Sequence, residues 1–144
     1  MIDPTKDGID HINIYSKAKT ELGRFLTNFA HTPIDNKFGH FESIEGLWYW
    51  LGTRNDKLRN LYGFLAKKLG RESETITLLP TEEFKSIIKE AIKQKLDNNP
   101  IMKTKFIESS LPFKHYYAYG TKVVNAGFDW IPEYFEELRR KLND

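Results

Sequence analysis

The chain contains no cysteine among its 144 residues. This absence excludes disulfide bridges and thiolate metal sites, and it fits a reducing compartment. No apolar run reaches the length of a membrane-spanning helix, and the first residues, Met1 to Asp7, contain no apolar signal core. We therefore expect a soluble cytoplasmic protein with no membrane partner.

The chain also lacks a large excess of positive or negative charge. Lys and Arg number 22 against 20 Asp and Glu, which leaves a formal net charge of +2. Because this excess creates no strong general field, any anion site must be local, and extended contact with a nucleic-acid duplex is not expected. A local groove for a few nucleotides of single-stranded or locally opened DNA or RNA remains compatible with the charge.

Several motifs of catalysis and cofactor binding are absent. The sequence has no Gly-rich phosphate loop and no Gly-x-Ser-x-Gly elbow. Its four histidines lack the spacing of metal ligands: His11, His31, His40 and His115. The sequence therefore predicts no metal site and no cofactor.

Aromatic residues are what the chain has in abundance, at 14% of the sequence. Such residues are typical of ligand pockets or interfaces, although a small domain can also use them as core bulk. A hydrophobic content of 40% and a charged content of 29% are ordinary for a globular protein. The length predicts one domain over residues 1–144.

The spacing of apolar residues predicts about five helices and few short strands, and hence a mainly α fold. Residues 1–11 are expected to form an irregular arm, residues 12–15 a strand, residues 22–29 a turn and loop, and residues 32–44 a hairpin. The expected helices begin at Ser43 and then span residues 56–70, 82–98, 100–109 and 130–142.

The most informative stretch runs from Phe41 to Leu51. Ser43 is a good N-cap residue, so Glu45 falls in the first turn of a helix. Apolar residues follow at helical spacing: Ile44, Leu47, Trp48 and Leu51. Free N–H groups and the helix dipole at this end favour an ionised carboxylate, so Glu45 is predicted to be a base, nucleophile or cation-stabilising group. Alternatively, Glu45 only complements the dipole while Trp48 and Trp50 fill the core.

Lys95 lies on the apolar stripe of the helix expected over residues 82–98. An ammonium on an apolar face is costly unless the side chain snorkels to solvent or is paired. Snorkelling near the helix end is one interpretation. The other is a lysine turned inward beside an acid or a phosphate, which makes Lys95 a candidate site residue.

Five segments resemble, in order, motifs of the NADAR (YbiA-like) family. Phe25-Leu-Thr-Asn-Phe29 resembles the family's Leu-Ser-Asn-Phe, and Ser43-Ile-Glu-Gly-Leu-Trp48 resembles Thr-Val-Glu-His-Tyr-Phe. Ala66-Lys-Lys-Leu-Gly-Arg71 is similar to Ala-Lys-x-Leu-Gly-Arg, and the run from Lys95 to Pro100 is similar to Lys-Phe-x-Gln-Asn-Pro. Tyr119-Gly120 stands where Trp-Gly is expected. The ordered series extends from about Tyr15 to Leu142.

The resemblance implies a multi-helical YbiA-like fold and hydrolysis of an N-glycosidic bond. The substrate would be an ADP-ribosylated nucleobase, namely guanine in nucleic acid or nucleotide, or else a ribosylamino-pyrimidine phosphate. The family's central glutamate falls on Glu45, whose carboxylate would stabilise an oxocarbenium-like state or activate water. The resemblance assigns substrate binding to the residues around its motifs: Arg24, Asn28, Phe29, Trp48, Tyr49, Lys95, Lys105, Tyr117, Tyr119 and Gly120. Among these, Asn28 would form a hydrogen bond with the ribose or the base. Trp48 or Tyr119 would stack against the substrate, and Lys95 or Lys105 would contact a phosphate.

The sequence departs from the family pattern at Tyr116, where many members carry an aspartate. His115, beside it, is the candidate second catalytic group that would protonate the leaving nitrogen, or else an ordinary surface histidine. Gly46 and Leu47 replace the family's His-Tyr pair, which would alter base selectivity. The missing second acid also leaves open a non-catalytic module that binds ADP-ribose or a nucleotide.

Overall fold

The computed structural model describes all residues 1–144 as a mainly helical chain with short strands, which confirms the expected fold class. The α-helices are α1 (Glu21–Leu26), α2 (Ile44–Thr53), α3 (Gly63–Glu72), α4 (Thr81–Asp97), α5 (Pro100–Glu108) and α6 (Trp130–Asn143). The strands are β1 (Ile12–Asn13), β2 (Ile34–Asn36), β3 (Gly39–Phe41), β4 (Phe113–Lys114), β5 (Tyr116–Tyr119) and β6 (Lys122–Asn125). Two 3₁₀ helices cover Pro4–Lys6 and Asp56–Asn60. None of the helices combines the length and the apolar character needed to cross a lipid bilayer.

The chain divides into two compact units. The first combines both ends of the chain, Met1–Thr27 with Pro100–Asp144, and the second is the continuous segment Asn28–Asn99. The expectation of one domain over residues 1–144 stays a prediction.

The second unit begins with the predicted hairpin. Strands β2 and β3 pair antiparallel, with Ile34 opposite Phe41. Helix α2 follows, and the Ser43 hydroxyl accepts a hydrogen bond from the Gly46 backbone N–H at 3.0 Å, as expected of an N-cap. The buried face of α2 differs from the expected one in a single aromatic residue. Trp48, which was expected on this face, is half-buried, whereas Trp50 is buried and only 7% exposed.

One predicted helix of the second unit is in fact two elements. The expected helix over residues 56–70 is broken at Tyr62, which is extended with φ −144° and ψ 168°. Helix α3 buries the small residues Ala66 and Gly70. Phe64 and Leu65 are consequently 67% and 63% exposed. Small residues are used here because α3 approaches α2 so closely that a Cβ at Gly70 would overlap the Tyr49 ring.

Helix α4 has the predicted amphipathic stripe, with Ile88, Ala91, Ile92 and Leu96 buried. Lys95 lies on the same face and is only 1% exposed. The snorkelling interpretation of this lysine was therefore wrong, since its whole side chain is enclosed.

The first unit corrects one expectation about its N-terminal half. In the arm over residues 1–11, whose only helix is the short 3₁₀ helix Pro4–Lys6, the buried Asp7 carboxylate accepts hydrogen bonds from the backbone N–H groups of Asn13 at 3.0 Å and Lys19 at 2.9 Å. The loop expected over residues 22–29 is largely helix α1, capped by the Thr20 hydroxyl. Gly23 is needed inside α1 because a Cβ there would overlap the backbone oxygen of Asn13.

The rest of the first unit consists of two strand pairs and two helices. Strands β1 and β4 pair in parallel, and β5 and β6 form an antiparallel hairpin. Helices α5 and α6 match the predicted helices over residues 100–109 and 130–142. The core of this unit contains a cluster of the aromatic rings of Phe106, Phe113 and Phe135.

The close approach of α2 and α3 generates a test of packing. We expect Gly70→Ala to lower the free energy of unfolding by about 1–3 kcal/mol, because the added methyl group must displace the Tyr49 ring. Gly52→Ala is the control, since a Cβ there meets its nearest atom, on Thr75, at 3.5 Å. This change should stabilise α2 by up to about 1 kcal/mol. Urea denaturation measures both, and equal stabilisation by the two changes would contradict the packing.

Candidate active site

Glu45 projects from the first turn of α2 on the same face as Trp48 and Tyr49, which lie three and four residues further along. Its side chain is 9% exposed. Its backbone N–H donates a hydrogen bond to the carbonyl oxygen of Asn28 at 3.0 Å. The start of α2 is thereby tied to the segment in which the family resemblance placed substrate-binding residues.

The segment Asn28–Phe29 joins the starts of two helices. The Phe29 carbonyl oxygen accepts a hydrogen bond from the Gly63 N–H at 3.0 Å, at the first residue of α3. The Lys67 ammonium lies 5.7 Å from the centroid of the Phe29 ring. The structure thus brings Asn28, Phe29 and Glu45, all named from the sequence, into one cluster.

Two cationic residues that sequence reasoning did not assign to the site belong to this cluster. Lys67 and Arg71 lie one helical turn apart on α3, and both interact favourably with the ionised form of Glu45. Their spacing of four residues, next to the small residues Ala66 and Gly70, is the signal that could have identified them. We call Asn28, Phe29, Glu45, Lys67 and Arg71 the Glu45 cluster.

Burial sets the protonation of Glu45. It raises the pKa of the carboxyl from 4.5 to about 7, and the opposing effects of Lys67 and Arg71 are smaller. The helix N-terminus favours the ionised form, as the sequence indicated, but the loss of solvent around the carboxyl outweighs the favourable charges and raises the pKa. A carboxyl with this pKa can both take up and release a proton near neutral pH.

The side chains of Trp48 and Tyr49 pack against neighbouring helices. The Trp48 ring meets Phe84 of α4 edge-on, with centroids 4.7 Å apart. The Tyr49 ring lies where a Cβ of Gly70 would be. Both side chains are half-buried, and their expected contact with substrate stays a prediction.

Lys95 belongs to the same unit as Glu45. Burial lowers the pKa of its amino group from 10.5 to about 7. The charged form that would meet a phosphate is thus disfavoured in the structure. The uncharged amine, in contrast, is the form in which a lysine acts as a base or nucleophile.

His115 belongs to the first unit, where it lines a cleft of about 330 Å³ together with Tyr116 and Asp129. Its Nδ1 donates to the Gly127 carbonyl oxygen at 3.0 Å. Burial lowers the pKa of the imidazole, so the charged form is scarce at neutral pH. This protonation state is poorly suited to the acid role expected of His115.

Tyr116, where the sequence resemblance leads one to expect an aspartate, is part of a chain of hydrogen bonds that runs through the buried His11 to the exposed Asp10. Its hydroxyl lies 2.6 Å from His11 Nε2, and His11 Nδ1 lies 2.5 Å from Asp10. Burial and, to a smaller extent, nearby aspartates including Asp7 raise the pKa of the tyrosine to about 12. Tyr116 therefore does not replace the aspartate as an acid that titrates near neutral pH.

The remaining predicted site residues also belong to the first unit. The Arg24 guanidinium donates to two backbone oxygens, of Ala18 and Lys19. The Lys105 ammonium pairs with Glu21 at 3.3 Å. The others are two rings and a turn residue of the β5–β6 hairpin: Tyr117, Tyr119 and Gly120. Their binding roles stay predictions.

The fold has a solved counterpart. The NMR structure of the E. coli protein YbiA matches with a TM-score of 0.69 at 17% sequence identity, covering 92% of this chain and 84% of that chain. No protein-family model matches the sequence, and no curated protein matches it either. The chain therefore has a YbiA-like fold, while a likeness at this identity carries no activity with it.

The raised pKa of Glu45 predicts how stability depends on pH. Between pH 4.5 and about 7 the carboxyl is ionised in the unfolded chain and protonated in the folded one. The free energy of unfolding contributed by this group therefore falls as the pH rises, by about 3 kcal/mol in total. Since Glu45→Gln removes the titration, this variant should gain stability over the wild type between pH 5 and pH 8.

Chemical denaturation at several pH values measures this difference. Glu83→Gln, at an exposed position of α4, is the control for the loss of one exposed carboxylate. A constant difference between Glu45→Gln and the wild type would show that the carboxyl titrates at its ordinary pKa.

Proposed function

We propose that the protein hydrolyses an N-glycosidic bond and releases ADP-ribose from a modified guanine, with Glu45 as the catalytic carboxyl. The observation that carries the proposal is the Glu45 cluster, in which a buried carboxyl with a pKa of about 7 lies beside two cations. The YbiA-like fold and the family motifs around Asn28, Glu45 and Arg71 support the same reaction.

The reaction needs a group that responds to positive charge on the sugar. As the bond between the anomeric carbon and the base nitrogen breaks, the ribosyl group becomes oxocarbenium-like and the nitrogen takes up a proton from solvent water. The ionised Glu45 carboxylate stabilises this charge and then accepts a proton from the water that attacks the anomeric carbon. A pKa near neutrality makes the carboxyl an effective base at physiological pH.

The two cations of the cluster fit the anionic part of the substrate. Lys67 and Arg71 lie close enough to Glu45 to interact with its carboxylate, so a pyrophosphate held by them would place the attached ribose near the carboxyl. Arg71 is exposed and can reach a ligand arriving from solvent. Asn28 and the ring of Phe29 supply polar and apolar contacts for the sugar.

The first test is an assay with guanine-ADP-ribosylated oligonucleotide, in which release of ADP-ribose is followed by mass spectrometry. We expect Glu45→Gln to lose at least ~100-fold in rate, in line with removal of a positioned catalytic group. The rate of the wild type should rise with pH towards a plateau above about pH 7, because the ionised carboxylate is the active form.

Glu83→Gln is again the control, and its rate should equal that of the wild type. An unchanged rate in Glu45→Gln would overturn the catalytic assignment. If the wild type instead cleaves a ribosylamino-pyrimidine phosphate, the reaction class stands and the substrate changes. Tight binding of ADP-ribose with no product from any substrate would indicate a binding module.

The second test concerns the cations. Arg71→Met should weaken binding of ADP-ribose by about tenfold or more, because a hydrogen bond to a charged group is worth about 1.5–3 kcal/mol. Isothermal titration calorimetry measures this affinity directly. Lys93→Met removes an exposed lysine of α4 and should leave the affinity unchanged. Equal affinities in Arg71→Met and wild type would remove Arg71 from the site.

A further inference from the structure

The outer surface of α3 carries cations and an exposed aromatic ring side by side. At 100° per residue, Phe64, Lys67, Lys68 and Arg71 fall within an arc of about 100° of the helix. Phe64 is 67% exposed and Lys68 is exposed as well. Because Lys67 and Arg71 also interact with Glu45, this arc begins at the proposed site and continues outwards from it.

A second aromatic surface adjoins the start of α3. The rings of His31 and Tyr62 are stacked, with centroids 4.3 Å apart and an interplanar angle of 2°. Tyr62 is 49% exposed, and the Glu42 carboxylate, 3.2 Å from His31 Nε2, helps to fix the histidine ring. The backbone N–H of the next residue, Gly63, donates a hydrogen bond to the Phe29 carbonyl oxygen. The stacked pair is therefore joined to the Glu45 cluster through the backbone.

We propose that these residues, which we call the α3 platform (His31, Tyr62, Phe64 and Lys68), bind nucleotides that flank the modified one in a single-stranded nucleic acid. The proposal rests on the proposed function, and it specifies that the substrate is a strand of nucleic acid. Flat exposed rings offer stacking surfaces to bases of any sequence, and interleaved cations meet the phosphates between them.

Charge complementarity selects this occupant over an apolar protein partner. An apolar protein surface would have to bury the ammonium of Lys68 and the guanidinium of Arg71 without compensation. A strand of nucleic acid instead supplies one phosphate per nucleotide to such groups. The small net charge of +2 confines the contact to a few nucleotides, since the cations are local to α3.

The binding test uses a short, unmodified, fluorescently labelled single-stranded oligonucleotide and fluorescence anisotropy. Phe64→Ala and Tyr62→Ala should each weaken binding by about tenfold, because loss of one stacking ring costs about 1–3 kcal/mol. Leu78→Ala is the matched control, since Leu78 is 90% exposed and lies outside the platform. Absence of binding by the wild type, or an equal effect of all three changes, would overturn the platform.

A kinetic comparison separates the platform from the catalytic proposal. The wild type should have a higher kcat/KM on an ADP-ribosylated oligonucleotide than on the same modified nucleoside, and Phe64→Ala should remove that difference while leaving nucleoside cleavage unchanged. Equal kcat/KM on the two substrates would overturn the platform and leave the catalytic proposal standing. If neither substrate is cleaved, the catalytic proposal fails and the anisotropy result decides the platform.

Discussion

The burial of one carboxyl group beside two cations is the constraint on which the candidate site depends. Glu45 is held in the first turn of α2 by the Ser43 cap and by the bond of its own N–H to Asn28. Gly70 lets α3, which carries Lys67 and Arg71, pack directly on Tyr49, and from there the two cations oppose the effect of burial. Helix packing and the pKa of the site are therefore set by the same contact.

Two other features of the molecule follow from local choices of residue. Because α3 buries only small side chains, its larger residues, including Phe64, are directed to solvent, and this creates the exposed ring next to the site. In the first unit, the hydroxyl of Tyr116 is bonded to the buried His11. Tyr116 thus makes a structural hydrogen bond and does not act as an acid, so the proposed chemistry is concentrated on Glu45.

The sequence predicted the elements whose signals are local and missed those that depend on tertiary contact. The Ser43 cap, the hairpin and the stripe of α4 were all predicted, because capping and periodicity act within a few residues. The role of Gly23 and Gly70 was missed, since each glycine is required by a backbone or ring from another element. The raised pKa of Glu45 was missed for the same reason: desolvation depends on the assembled fold, whereas the helix dipole is visible in the sequence.

The most direct test of this account is a ¹³C NMR titration of the Glu45 side-chain carboxyl in the wild type and in Lys67→Met. Burial predicts a pKa of about 7 in the wild type. Because Lys67 lowers this pKa, its removal should move the titration to higher pH. A carboxyl that titrates near 4.5 in both proteins would show that Glu45 is solvated and lies apart from the two cations, and the proposed site would then be wrong.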